Sequence, residues 1–252
     1  MEIATWNIAG IKARLPLLLD WLKDKQPDIA CLQEIKTVAE AFPTQAFEEL
    51  GYEPLVVGQK SFNGVAILTK KTPEETKTFF FGSEKDEQAR FIEAVFNTDH
   101  GPLKLACLYA PNGNPVESAK YPYKLHWMEQ LYHHAQAQLK EEIPYILAGD
   151  FNIIPQKDDA KNPEKWEGDA LFLPQSRDLF FKLCHLGFTD AIRSVTMEPC
   201  YTFWDFQAGA WPKNNGMRID HFLLSPQAAD LLQKAYVEKA MRGAERPSDH
   251  VP

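Results

Sequence analysis

Several short apolar runs in this chain stop on an amide or a carboxylate, and that recurrence constrains the fold more than any other feature. "IATWN" ends at Asn7, "IACLQE" at Gln33 and Glu34, and "YILAGD" at Asp150, with Asn152 two residues on. Asp220 stands inside "MRIDHFLL", and Asp249 and His250 follow Pro247 and Ser248. Runs of this length and composition read as strands. Strand ends that converge on one rim of a sheet are where α/β proteins place their sites.

Amphipathic stretches alternate with the apolar runs. "LPLLLDWLKDK" carries Leu15, Leu18, Leu19 and Leu22 at helical spacing. "PTQAFEELG" reads as a short helix stopped by Gly51, and "SRDLFFKLCHLG" as one stopped by Gly187. The second half of "SAKYPYKLHWMEQLYHHAQAQLKEE" reads as a long helix, with Pro122 near its start where proline is tolerated. "PQAADLLQKA" reads as a helix and "AYVEKAM" as a strand. "EPLVV", "GVAILT", "TKTFFF", "RFIEAVF" and "LKLACLYA" crowd together with short breaks, which points to antiparallel hairpins. No repeat, low-complexity segment or Gly/Ser linker interrupts the series. One domain over 1–252 is expected, of mixed α/β class and with more antiparallel pairing than a doubly wound sheet.

Composition narrows the function classes. Of 252 residues, 44% are hydrophobic and 25% charged, as in ordinary globular chains. The N-terminus lacks a basic region followed by an apolar run, and no apolar stretch approaches the roughly 20 residues a bilayer span needs. No membrane partner is expected. Cys31, Cys107, Cys184 and Cys200 are scattered, with no CxxC pair, and read as reduced thiols of a cytoplasmic protein. A net charge of −8 taken alone argues against nucleic acid. Charges more than about 8 Å apart are largely screened at physiological salt, however, and carboxylates gathered round a divalent cation reverse the local field. A metal-dependent nuclease therefore stays open.

Each polar strand end has a structural alternative. Asn7 could hold a turn, Glu34 could be a solvated strand end, and "GDFN" could be an Asx-turn. Asp220 has the poorest one, because a carboxylate among Ile, Phe and Leu needs a partner, which a histidine would supply. Singly, the alternatives win; jointly, three carboxylates, two asparagines and an Asp-His pair point to a site. Oxygen ligands such as Glu34, Asp249 and Asn7 suit Mg²⁺ or Mn²⁺ rather than zinc. His250 held by Asp220 would be biased towards its protonated form, and Asp150 beside Asn152 could place and deprotonate a water. The phosphate-loop, dinucleotide, serine-hydrolase and HExxH signatures are absent. His133 and His134 point about 100° apart on a helix and read as surface residues.

These residues also carry a family resemblance. "WNIAG" at 6–10, "LQEIK" at 32–36, "YAPNG" at 109–113, "GDFN" at 149–152, "RID" at 218–220 and "SDH" at 248–250 occur in that order. Together they resemble the exonuclease III type of apurinic/apyrimidinic (AP) endonucleases, within the endonuclease/exonuclease/phosphatase superfamily, and "YAPNGNP" resembles bacterial members. The resemblance implies a four-layer α/β sandwich, two packed mixed or mostly antiparallel sheets with helices outside. It implies Glu34 as the main metal ligand, with Asn7 and Asp249 nearby and Asp150 and Asn152 at the same centre. Asp150 would activate the water, Asp220 would orient His250, and Tyr109, Asn112 and Asn152 would contact the scissile phosphate. Lys36 would lie beside the metal, and Phe203, Met217, Arg218 and Ile219 would form the pocket for a flipped abasic sugar. Lys60, Lys213 and Arg218 would supply phosphate contacts.

The implied activity is Mg²⁺- or Mn²⁺-dependent cleavage of double-stranded DNA 5′ to abasic sites, with trimming of 3′ ends, by a cytoplasmic monomer. A phosphatase for inositol phosphates or lipids, and an inactive DNA-binding module, are the alternatives. Ala9 stands where some relatives carry Asp or Asn, Met217 where some carry an aromatic, and Pro115 where one branch inserts an arginine. Such relatives continue past "SDH" with a short apolar strand, so the sequence is expected to stop short of that strand, leaving Asp249 and His250 frayed if it ends there.

Overall fold

The computed structural model describes residues 1–80 and 82–252. Its layering follows from strands that are apolar on both faces. In β2 (Ile29–Gln33), Ile29 and Cys31 face one apolar cluster while Ala30 and Leu32 face another. A strand buried on both sides must be covered on both sides. β2 lies inside a four-stranded sheet with β1 (Ile3–Asn7), β4 (Val65–Thr69) and β3 (Glu53–Val57), in the order β1-β2-β4-β3. β1 and β2 are parallel; the other pairs are antiparallel.

The second sheet holds β5 (Glu75–Lys77), β6 (Phe91–Thr98), β7 (Gly101–Tyr109), β8 (Tyr145–Asp150), β9 (Thr189–Asp190) and β10 (Asp220–Leu224), in the order β5-β6-β7-β8-β10-β9. Only β7 and β8 pair in parallel. Between the sheets, Ile29, Cys31, Val65 and Ile67 pack on Ile92, Leu105, Cys107 and Ala148. Outside the first sheet lie α1 (Ile11–Lys25) and the short α2 (Thr44–Glu48); outside the second lie α3 (Lys120–Leu139) and α4 (Pro174–His185). α5 (Ala191–Val195) and α6 (Pro226–Ala229) are single turns beside β10. The result is the four-layer α/β sandwich that the motifs implied. At Gly149 (φ 148°) a Cβ would come within 1.9 Å of the Leu108 carbonyl, so glycine lets β8 close on β7 just before Asp150.

Several local expectations fail. The strand read over 76–81 is formed only as Glu75–Lys77, and residue 81 lies outside the described residues. The helix read over 226–235 stops at Ala229. The strand read over 235–241 is not formed. Among the described residues that segment finds no ladder partner: Tyr236 bonds Glu2, Glu238 N–H bonds the Pro252 carbonyl, and a 3₁₀ turn follows over Lys239–Gly243. His133 is exposed as expected, but His134 is buried against β6 and β8, where its Nε2 lies 3.1 Å from Glu93. The adjacent-histidine rule holds, and it puts one ring in water and the other in the core.

Asp249 and His250 are not frayed. Trp6 Nε1–H donates to the His250 carbonyl (3.0 Å), Trp204 N–H to the Asp249 carbonyl (2.8 Å) and Val251 N–H to the Thr202 carbonyl (2.9 Å). Val251 is buried with Tyr201 and Trp204. These bonds hold the pair without a further strand.

Candidate active site

Strand register brings the polar ends to one rim. Asn7 lies opposite Gln33 across β1 and β2, and Asp150 lies opposite both Tyr109 of β7 and Asp220 of β10. The carboxyl ends of β1, β2, β7 and β8 meet there, with the first residue of the antiparallel β10. Backbone strain gathers at the same rim: Ala9, Glu34, Lys36 and Asn152 all have positive φ, between 47° and 53°. Side chains in that region cost free energy that surrounding structure must offset, and such strain clusters at functional sites.

The centre is a line of hydrogen bonds with one longer charge contact in it. Asp220 Oδ2 lies 2.8 Å from His250 Nδ1, and His250 Nε2 lies 3.8 Å from Asp150 Oδ2. The same Asp150 oxygen accepts from Asn7 Nδ2 (2.9 Å), which also donates to Glu34 Oε1 (3.2 Å). Tyr109 O–H donates to that Glu34 oxygen (2.7 Å), and Lys36 Nζ pairs with Glu34 Oε2 (2.6 Å). Asp150 Oδ1 accepts the Asn152 N–H (2.8 Å), so the Asx-turn forms as part of the site. Asn112 Nδ2 donates to Asn152 Oδ1 (3.0 Å). The Asn7 carbonyl oxygen takes the Ala9 N–H (3.0 Å), so Asn7 turns its amide NH₂ to the two carboxylates. Ser248 Oγ–H donates to the Asn7 backbone carbonyl and accepts the His250 N–H, tying the final segment to β1.

Electrostatics set the protonation states. Burial pulls His250 down, but the charge and hydrogen bond of Asp220, with Asp150 and Asp249, outweigh it and raise the imidazole to about 10. It is an imidazolium at neutral pH, donating from Nδ1 to Asp220. Burial and the Asp220 charge push Asp150 up to about 7, against His250 and the Asn7 and Asn152 donors. Burial also works against ionised Glu34, but Lys36 and Tyr109 hold its carboxyl below the usual range. Burial and the neighbouring Glu34 and Asp150 charges raise Tyr109.

Asp150, Asp220 and His250 form a buried group whose ligand atoms lie within 4.8 Å of one another. The 2.8 Å bond to Asp220 and the raised imidazole account for that cluster without an ion, and a hard cation prefers oxygen donors. Glu34 and Asp249 are the carboxylates of the rim that stay partly exposed. Asp249 is half-buried beside Ser248 Oγ (3.3 Å).

Three of the four residues proposed for a sugar pocket adjoin. Phe203, half-buried with its ring 4.9 Å from that of His250, exchanges backbone hydrogen bonds with Met217 and packs against the buried cluster of Met217, Ile219, Ile154, Ala160, Leu171 and Phe172. Arg218 is no phosphate contact. It is 1% exposed, with Nε on Asp159 (2.7 Å) and Nη1 on Asp190 (2.8 Å) and His221 (3.0 Å). Its charge is spent inside the protein. Lys60 and Lys213 are exposed. Lys124, which the sequence reading missed, donates to the backbone carbonyls of Asn112 and Asn152. Its signal was present: a lysine on the buried stripe of Tyr121, Met128 and Leu131.

Comparisons with known proteins bear on the family and the fold. The model of the "Endonuclease/Exonuclease/phosphatase family" matches residues 4–250. The chain is 33% identical over 261 residues to exodeoxyribonuclease III of Haemophilus influenzae, covering 100% of this chain and 98% of the relative. Its fold superposes with a TM-score of 0.93 on an AP endonuclease from Archaeoglobus fulgidus, at 34% identity, covering 100% of this chain and 96% of the other. The score is 0.95 for the 3′ phosphatase NExo from Neisseria bound to product DNA hairpin, also at 34% identity and with 100% and 96% covered. The chain belongs to the endonuclease/exonuclease/phosphatase family, in its exonuclease III-type branch.

Proposed function

We propose that this protein is a DNA-repair nuclease that hydrolyses phosphodiesters 5′ to abasic sites and removes nucleotides or blocking groups from 3′ ends. The observation that carries the reading is the series Asp220–His250–Asp150–Asn7–Glu34 on one rim, hydrogen-bonded throughout except for the 3.8 Å charge contact between His250 and Asp150. The relatives support the substrate class, since their names include an AP endonuclease and a 3′ phosphatase at equal identity.

Asp150, raised to about 7, is poised to take a proton from the attacking water. Attack breaks the P–O3′ bond and leaves a 3′-hydroxyl. The imidazolium of His250, fixed by Asp220, stabilises the negative charge that gathers on the phosphoryl oxygens. Asn152, Asn112 and Tyr109 would position the phosphate. Glu34 would hold a Mg²⁺ or Mn²⁺ ion, with Asp249 as a second oxygen donor. The donor set fits: partly buried carboxylate oxygens, with Lys36 as a half-exposed counter-ion that can withdraw. When bound, the cation supplies Lewis-acid stabilisation of the phosphoryl oxygens. Asn7 orders the two carboxylates through its NH₂ and ligates only if that amide turns. Phe203 would border the abasic sugar, with Met217 and Ile219 forming the wall behind it.

We propose further that the chain acts as one domain and as a monomer. A cytoplasmic setting is supported by its cysteines, none of which is paired among the described residues. Among those residues no helix is long and apolar enough to cross a membrane. The experiment is a substrate panel: duplexes with a tetrahydrofuran abasic analogue, a 3′-phosphate or no lesion, with Mg²⁺ and with EDTA. Nicking or 3′ trimming in Mg²⁺ alone is expected. Untouched DNA with phosphate released from inositol phosphates would move the substrate class; DNA binding without turnover would leave a binding module.

A further inference from the structure

Lys124 is a buried amine that the chemistry above leaves unused. It lies near the start of α3 and is 0% exposed. An amino group taken out of water needs hydrogen-bond acceptors, and its two are backbone carbonyls from separate segments. Asn112 belongs to the loop after β7, where the carbonyl lies 3.1 Å from Nζ; Asn152 belongs to the turn after β8. The side chains of the same two asparagines are bonded to each other, and Asn114 N–H and NH₂ both donate to Asn112 Oδ1. The fit round the lysine stem is close. A Cβ on Gly113 would lie 2.8 Å from Lys124 Cδ and 3.0 Å from Ala170 Cβ, at a φ of 92°. Neither loop has regular backbone pairing where the asparagines sit.

We propose that Lys124 is a positioning residue that ties the β7 and β8 loops into one unit and sets where Asn112 and Asn152 meet the phosphate. It acts through those two residues, without touching substrate. The identity of the ester rests on the nuclease reading above; the tie itself does not. The competing role is plain core filling, of the kind Lys104 performs. That lysine is also buried, but it is held by Gln138 and Glu141 and lies on β7 near the opposite end of the strand from Tyr109.

The experiment compares Lys124→Met, which keeps the stem and removes the amine, with Lys104→Met. For Lys124→Met, kcat on abasic duplex is expected to fall about 100-fold, as for a small misplacement of groups that hold substrate, with KM changed less than about threefold. Hydrogen–deuterium exchange should quicken in 109–114 and 150–153. Lys104→Met should lower Tm and leave both readouts unchanged. A Lys124→Met protein with wild-type kcat per folded molecule, or an equal loss of kcat in Lys104→Met, would overturn the proposal. If Lys124→Met does not fold, Gly113→Ala, which pushes on the stem and leaves the amine, carries the same expectation; wild-type kcat there would overturn it. If the wild-type protein cleaves none of the DNA substrates, the nuclease reading fails, and the exchange in those two segments still decides the tie.

Discussion

His250 shows how much one hydrogen bond decides. Its ring is buried, which alone would leave it neutral, yet Asp220 at 2.8 Å raises it to about 10. Asp220→Asn removes the charge and keeps the shape, so kcat should fall by about 10³-fold, within the range for losing one preorganised stabiliser of transition-state charge, with Tm little changed. Retention of most activity in that variant would detach Asp220 from the mechanism. Arg218 carries the opposite lesson. Arg218→Met leaves Asp159 and Asp190 short of a buried partner and should cost about 3 kcal/mol in urea unfolding. The slope of DNA affinity against salt should stay as in wild type, whereas a true phosphate contact would lower it by about 1. The sequence located Asp220, His250, Asp150 and Glu34 because each ends or interrupts an apolar run. It misassigned Arg218 because an arginine beside a predicted pocket looks the same whether its partners are DNA phosphates or carboxylates brought from residues 159 and 190.

At the scale of elements, α3 is fastened to the second sheet at both ends by polar groups. Lys124 serves the end near the site. At the other end His134 meets Glu93 of β6, which also accepts the Tyr145 hydroxyl (2.7 Å). Burial works to raise the Glu93 carboxyl, but the His134 and Tyr145 hydrogen bonds, with the His134 and Lys104 charges, hold it below the usual range. A depressed folded value means that the group's stabilisation is complete above its unfolded value of about 4.3 and is lost as pH falls through the folded value. Thermal melts from pH 7 to pH 3 should show Glu93→Gln with a lower Tm at pH 7 and a flatter acid limb than wild type. Parallel acid limbs would contradict this. Long periodic elements were legible, and the failures share a cause. Residues 235–241 have the alternation of a strand but, among the described residues, no ladder partner to complete it, and His134 faces the core because strands distant in sequence lie beneath it. Both depend on contacts that a local pattern does not contain.

For the whole molecule, a net charge of −8 and a DNA substrate are compatible because the field that matters is local. Two sheets, each sealed by helices, leave one rim where strand ends meet, and the acidic excess there is arranged round an imidazolium and a partly exposed carboxylate able to accept a cation. That the rim exists follows from apolar runs ending in polar residues; that its members meet in one series from Asp220 to Glu34 needed the register of two sheets. The central claim is that this series performs metal-dependent phosphodiester hydrolysis, with Asp150 taking the proton and His250 bearing on the phosphate. Single-turnover cleavage of a tetrahydrofuran-containing duplex in Mg²⁺ by wild type, Asp150→Asn and His250→Ala, with DNA affinity measured alongside, tests it most directly. The account expects EDTA-sensitive nicking by wild type and rates at least about 10³-fold slower in both variants at near wild-type DNA affinity. Nicking at wild-type rates by either variant, or nicking indifferent to EDTA, would contradict it.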